Sequence, residues 1–373
     1  MKVLSVVGAR PQFVKAAPVS RVLRATHDEL LVHTGQHYDN AMSAAFFRDL
    51  EIPAPEVNLE VGSGSHAAQT ADIMRRLEPV LMEHEPDGML IYGDTNSTLA
   101  AAVVGSKIAY PDGRRPWVAH VEAGLRSFNR AMPEERNRVV ADHLADLLLA
   151  PTPVSMHHLS REGLAQRAEL VGDVMVDSHL SASAVSDAHV PPVAVETPGY
   201  VLLTMHRAEN VDDPRRLQAW MDALEQDEPI IFPVHPRTAG ALSDSGVKPP
   251  ANVRIIDPVG YLQMVALERH ARAVLTDSGG VQKEAYLSGV PCITLRSETE
   301  WVETVEAGWN RLVEPSRAAI RAALDDAAFM NRDRARPELY GDGRAADRIV
   351  LALERQQAMT AASMPLTMEV TAS

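Results

Sequence analysis

Several groups of residues in this 373-residue chain have the types and spacing to do chemistry. The most concentrated is Ser278-Gly279-Gly280 with Glu284 close behind. An apolar run ending at Thr276 reads as a buried strand, the Ser-Gly-Gly as its turn and VQKEAYLSG as the helix beyond. The first amides of a helix have no internal acceptor, the dipole is positive there, and glycines let a ligand approach without a Cβ in the way. A phosphate suits such a turn. In the first turn or two of the helix, the Glu284 carboxylate can accept from both hydroxyls of a ribose, so the pair points to a nucleoside diphosphate. Read alone, the same residues are also a tight turn with a capping serine.

A second group sits near the N-terminus. KVLSVVG reads as a strand ended by GARPQ, and Pro11 fits the first turn of the helix that follows, where its missing N–H would be unpaired anyway. Arg10 and Lys15 flank that helix start. They form either a second anion clamp or an ordinary solvated pair. Three acids come next: Asp94 ends the strand GMLIYGD, Glu122 is delivered by WVAHVEAG, and Glu134 follows Pro133 in a helix first turn where acids are favourably placed. His206 and Arg207 close the strand YVLLTMHR, and His235 stands in HPRT; a lone histidine at a strand end is also at home as a structural residue.

Positioning these residues requires alternating strands and helices. The unalternating apolar strands KVLSVVG, ELLVHTG, GMLIYGD, WVAHVEAG and DLLLAPT specify an α/β fold with a parallel, doubly wound sheet. Ligands of such sheets bind at the C-terminal strand edge, where Arg10, Asp94 and Glu122 all fall. LVGDVMVD reads as a junction, and the proline-bearing loop HVPPVAVETPG leads into a second series, YVLLTMHR, PIIFPVHPRT, VRIIDPV, ARAVLTDSGG and VPCITLR. The expectation is therefore two Rossmann-like domains, 1–170 and 171–344, facing a cleft. A helix over about 345–360 crosses back to complete the first, residues 51–66 form a long connection able to carry a mobile lid, and 361–373 are a disordered tail.

Composition excludes several functions. A net charge of -14 disfavours nucleic-acid and anionic-membrane partners, so a bound anion must be held by local cations. The single cysteine, Cys292, permits no internal disulfide, sits in a strand-like run as a small buried hydrophobe and fits a reducing cytoplasm. The N-terminus resembles neither a signal peptide nor a membrane span. No metal is expected: His120, His206 and His235 stand on separate strands without an acid or thiol at ligand spacing, and the pair His157-His158 is expected at the surface.

GARPQFVKAAPV, GDTNSTLAAAV, HVEAGLRS with MPEERNR, TMHRAEN, HPRT and LTDSGGVQKEA, in this order across nearly the whole chain, resemble the non-hydrolysing UDP-N-acetylglucosamine 2-epimerase family. The resemblance implies the GT-B arrangement, a homodimer, a UDP-sugar substrate, a place in cell-surface polysaccharide biosynthesis, and inversion at sugar C2 with neither metal nor cofactor. It further implies elimination of UDP to a glycal and re-addition. Asp94, Glu122 and Glu134 then divide acid and base roles that are left unassigned. By the same resemblance His206, with Arg207 beside it, aids diphosphate departure. Arg10 and Lys15 lie at sugar and phosphate, Ser278, Gly279 and Gly280 at the diphosphate, Glu284 at the ribose, and His235 near an effector site.

Two stretches depart from the pattern. Gln36-His37-Tyr38-Asp39 replaces Gln-His-Arg, which puts activation by a second substrate molecule in doubt, and Thr299-Glu300-Trp301-Val302-Glu303 puts Trp301 where an arginine is expected at the diphosphate. Both variants resemble the subgroup acting on UDP-2,3-diacetamido-2,3-dideoxyglucuronic acid. A GT-B glycosyltransferase, a hydrolysing relative and a non-catalytic nucleotide-sugar sensor are the competing readings.

Overall fold

The computed structural model describes residues 1–35 and 52–363. Gln36, His37, Tyr38 and Asp39 lie outside the described residues, as do Glu51 of the long connection and residues 364–373 of the tail.

The chain forms two compact units, residues 1–177 with the chain from Tyr340 onward, and Ser178–Leu339. In the first unit seven parallel strands are β1 (Lys2–Val7), β2 (Asp28–His33), β3 (Val57–Asn58), β4 (Gly88–Tyr92), β5 (Trp117–Val121), β6 (Leu147–Ala150) and β7 (Ala168–Leu170), ordered β3-β2-β1-β4-β5-β6-β7. The second has β8 (Val201–Thr204), β9 (Ile230–Pro233), β10 (Val253–Ile256), β11 (Ala273–Thr276), β12 (Cys292–Thr294) and β13 (Asn310–Leu312), also all parallel, ordered β10-β9-β8-β11-β12-β13. This is the expected α/β, doubly wound class.

The central strand β4 is buried at every position instead of every second one, the pattern of a parallel strand covered on both faces. Helix Ala345–Ser363 belongs to the first unit, packing on helix Arg10–Arg24 and β5. The Asp177 carboxylate accepts from the amides of Ala345 and Ala346 at 3.2 and 2.9 Å, satisfying groups that the start of a helix leaves orphaned.

Three strands do not stand out in the sequence. β3, β7 and β13 have only two or three residues, lie at sheet edges and mix polar with apolar positions, so no period can register. The stretch expected as a proline-bearing loop contains a short helix, Pro192–Glu196, which a proline at its first position pre-forms and the burial of Val193 and Ala194 holds down.

The strand ends of the first unit are tightly packed. A Cβ on Gly8 would lie 2.1 Å from Thr34 Oγ1 and 2.3 Å from Ser97 Oγ, two hydroxyls hydrogen-bonded to each other at 2.8 Å. Gly8→Ala should therefore lower stability by about 1–3 kcal/mol in urea denaturation. Gly64→Ala, with nothing within 4 Å, should fall within about 0.5 kcal/mol of wild type.

Candidate active site

In the first unit β1 lies between β2 and β4, so the chain leaves the C-terminal ends of β1 and β4 in opposite directions and opens a crevice there. Gln12, 1% exposed, stitches that point together. Its Oε1 accepts from the Gly8 and Ala9 amides at 2.8 and 3.1 Å, and its Nε2 donates to the Tyr92 carbonyl at 2.8 Å and to Thr98 Oγ1 at 3.1 Å.

The acids gather beside this stitch. Gly93, at φ 62°, turns the chain after β4, and a Cβ there would sit 3.3 Å from Lys15 Nζ and 3.5 Å from Glu122 Oε2. Lys15 forms an ion pair with Glu122. Glu122 itself is buried and held at φ 72°, a left-handed conformation unusual for a residue with a Cβ. Asp94, half-buried, pairs with the Arg138 guanidinium, which also donates from Nη1 to Glu135 at 3.1 Å. Burial pulls the Arg138 pKa down, but Asp94, Glu135 and Glu122 together raise it above its ordinary value, so it is a fixed cation among three acids. The Asn137 amide donates to the Asp94 carbonyl at 2.9 Å.

The structure thus brings Lys15, Asp94 and Glu122 to one strand edge. Glu134 is exposed in the first turn of helix Pro133–Leu144, and no hydrogen bond or ion pair ties it to them among the described residues. Its neighbour Glu135 is buried and accepts from Ser127 N, Ser127 Oγ and Phe128 N at 2.9, 3.0 and 2.9 Å, fixing the loop before the helix. Arg10 is the first residue of helix Arg10–Arg24, and its side chain lies outside what is described. Of the histidine pair expected at the surface, His157 is exposed but His158 is half-buried and bonds the Gly124 carbonyl at 3.0 Å.

The second unit repeats the device with a different side chain. β8 and β11 flank its crevice, and Asp277, fully buried after β11, accepts from the His206 amide at 3.1 and 3.0 Å through its two oxygens. It also takes the Arg207 amide at 3.0 Å and Asn210 Nδ2 at 3.1 Å, and lies 3.3 Å from His206 Nδ1, which orients that ring. The His206 and His235 rings are 5.4 Å apart, and His235 caps helix Pro236–Ser245 by accepting the Arg237 amide at 3.2 Å.

Ser278 caps helix Gly279–Leu287 as expected, its Oγ accepting from Val281 N at 3.5 Å. That leaves the Gly279 and Gly280 amides without intrahelical acceptors. Neither glycine is at positive φ, and an added Cβ would meet nothing closer than 3.4 Å at Gly279 and 3.8 Å at Gly280. Folding alone therefore does not demand glycine at either place, whereas a ligand lying on those amides would. Glu284 is buried one turn further on.

Trp301 is buried with its indole Nε1 facing Gly279, and the Lys283 ammonium lies 4.2 Å from the centre of a Trp301 ring. Positive charge is thus present where the ring itself supplies none. Arg296 forks onto Glu300 at 2.9 and 3.2 Å, with Arg207 3.7 Å from the same carboxylate. Cys292 is buried in β12, where desolvation pushes its thiol up to about 12 and leaves it without nucleophilic character at neutral pH. Among the described residues no group of three His, Cys, Asp or Glu is arranged to hold a metal, and no helix is long and apolar enough to cross a membrane.

Gln12, Arg138 and Asp277 were not singled out by sequence reading. Only Arg138 left a local sign, its i,i+3 spacing from Glu135 on a helix opened by Pro133. For Glu300, burial opposes ionisation, but Arg296 and Arg207 hold its pKa below the ordinary 4.5. That pairing stabilises the fold above about pH 4.5 and is lost as pH falls through the lowered value, so thermal melts should show an acid-side slope that Glu300→Gln flattens.

The UDP-N-acetylglucosamine 2-epimerase family matches residues 21–354. A UDP-N-acetylglucosamine 2-epimerase homolog of Methanococcus maripaludis is 48% identical over 329 residues, covering 86% of this chain and 90% of its own. The UDP-2,3-diacetamido-2,3-dideoxy-D-glucuronate 2-epimerase of Pseudomonas aeruginosa is 44% identical over 359 residues, covering 94% and 98%. The crystal structure of Methanocaldococcus jannaschii UDP-GlcNAc 2-epimerase in complex with UDP-GlcNAc and UDP superposes with a TM-score of 0.86 at 40% identity, covering 95% and 100%. With a family match over most of its length and two GT-B-type α/β sheets, the chain belongs to the UDP-N-acetylglucosamine 2-epimerase family.

Proposed function

We propose that this chain is a UDP-sugar 2-epimerase, an isomerase interconverting UDP-N-acetylglucosamine-type and UDP-N-acetylmannosamine-type sugars. The observation that carries this reading is the strand edge where Asp94 and Glu122, each paired with a cation, meet around Gly93. The C2 hydrogen of such a sugar is not beside a carbonyl, so deprotonation alone leaves an unstabilised carbanion. Loss of UDP removes that difficulty. A base takes the C2 proton, the C1–O bond breaks with its electron pair going to UDP, and a C1=C2 bond forms; the reverse steps deliver a proton to the opposite face while a UDP oxygen returns to C1.

Asp94, Glu122 and Glu134 serve as the proton-transferring acids, with Arg10 and Lys15 at the sugar and phosphate. The turn Ser278–Gly280, with His206 and Arg207, takes the diphosphate, whose charge grows as it leaves, and Glu284 takes the ribose. This reading includes a cytoplasmic homodimer that needs no cofactor and serves cell-surface polysaccharide synthesis. A second substrate, UDP-2,3-diacetamido-2,3-dideoxyglucuronic acid, is favoured by the run Thr299–Glu303 with its buried Trp301 and by the 44% identical Pseudomonas enzyme named for that sugar.

Turnover in deuterated water should place deuterium at C2 of the product; full retention of the original hydrogen would exclude elimination. Asp94→Asn, Glu122→Gln and Glu134→Gln should each lower kcat by about 10²–10⁴-fold while calorimetric UDP affinity changes little. Glu284→Ala should do the opposite, weakening UDP binding by about tenfold or more with a smaller effect on kcat, because it removes a partner bound in both ground and transition states.

A further inference from the structure

We infer that a hydrogen-bonded chain of side chains, Glu162–Arg126–Asp142–His120, buried from Arg126 inward, positions the proton-transfer site by clamping the two turns that carry Asp94 and Glu122. The inference rests on the reading of those carboxylates given above.

His120, on β5, and Asp142, in helix Pro133–Leu144, are both 0% exposed. His120 Nδ1 lies 2.7 Å from Asp142 Oδ1, and Nε2 lies 2.7 Å from the carbonyl oxygen of Gly93. A carbonyl can only accept, so Nε2 donates to it. Asp142 is held as an acceptor too: burial pushes its carboxyl up, but His120 and Arg126 hold it below its ordinary range. The ring is thus a spacer of fixed length between that helix and the peptide immediately before Asp94.

The other oxygen of Asp142 accepts from the Gly124 amide at 3.0 Å and from Arg126 Nη1 at 2.8 Å. Arg126 forks onto Glu162 at 2.8 and 2.7 Å, and Glu162 carries the chain toward solvent. Gly124 is held on both sides, since its carbonyl accepts from His158, and its φ of 82° with Ser155 O only 2.5 Å from any added Cβ leaves room for glycine alone.

Between these anchors sits Glu122 in its left-handed conformation. Its own amide and that of Ala123 both donate to the Leu149 carbonyl, at 3.1 and 3.2 Å. A strained residue persists only where its surroundings over-determine it, and Asp142 supplies the C-terminal anchor. Stability is a weak reason for such a chain, because apolar residues of similar volume commonly replace buried ion pairs without loss. Its distinctive result is geometric, since one residue, Asp142, ties the turn after β4 to the turn after β5.

The test uses the full chain and UDP-N-acetylglucosamine as probe substrate. In His120→Asn the side chain is too short to span Asp142 and the Gly93 carbonyl. kcat should fall about 10²-fold from a sub-ångström displacement of the acids, with KM and UDP affinity within about twofold of wild type. Hydrogen exchange should quicken in segments 93–98 and 122–126 and nowhere else. Unchanged kcat, or unchanged exchange in those segments, would overturn the proposal, as would a general rise in exchange with UDP binding lost alongside kcat. If His120→Asn does not fold, Arg126→Lys keeps a cation on Asp142 but gives up the fork to Glu162; a roughly tenfold fall in kcat at constant KM supports the clamp and full activity refutes it. If the wild type turns over no UDP-sugar, the epimerase reading fails, and the exchange pattern alone then decides for or against the clamp.

Discussion

Where the strand order of a parallel sheet reverses, two adjacent strand ends send their chains in opposite directions, and buried backbone amides are left without partners. Each unit of this protein meets that requirement with one buried side chain. Gln12 offers both an acceptor and a donor, and so binds amides of one turn and a carbonyl of the other. Asp277 offers acceptors only, and so gathers the amides of His206 and Arg207. Without these stitches the turns carrying Lys15, Asp94, His206 and Arg207 would have no defined position, and the chemistry proposed for them depends on position above all.

Charge follows the same logic. A chain with a net charge of -14 that gathers acids at its strand ends needs cations placed one by one. Lys15 meets Glu122, Arg138 meets Asp94, and Arg207 and Arg296 meet Glu300. Each acid is kept in place by a partner that is itself buried or half-buried, where the local dielectric makes the pairing count. Glu134 is the exception, exposed and unpaired among the described residues. Its neighbour Glu135, of identical chemistry, is spent on holding a loop.

The glycines divide along similar lines. Gly8 and Gly124 are required by packing or backbone conformation, and any side chain there collides. Gly279 and Gly280 are required by neither. An added Cβ would make only ordinary van der Waals contact at either position, so a purely structural turn would tolerate alanine there.

Much of this was legible in the sequence because it depends on neighbours in the chain. Unbroken apolar runs fixed the central strands, Pro11 and Pro133 marked helix starts, and Ser278 with two glycines announced a capped turn with exposed amides. The edge strands β3, β7 and β13 were not legible, being too short and too mixed in polarity to show a period. Nor was the difference between Glu134 and Glu135, since adjacent helix positions point about a quarter-turn apart and only the fold says which direction is inward. The pairing of Arg138 with Asp94, of Asp277 with the His206 turn, and of His120 with Gly93 joins residues 44, 71 and 27 positions apart. Sequence determined which residues are able to hold a charge or a proton; tertiary structure decided which of them do, because burial and partners belong to three-dimensional neighbours.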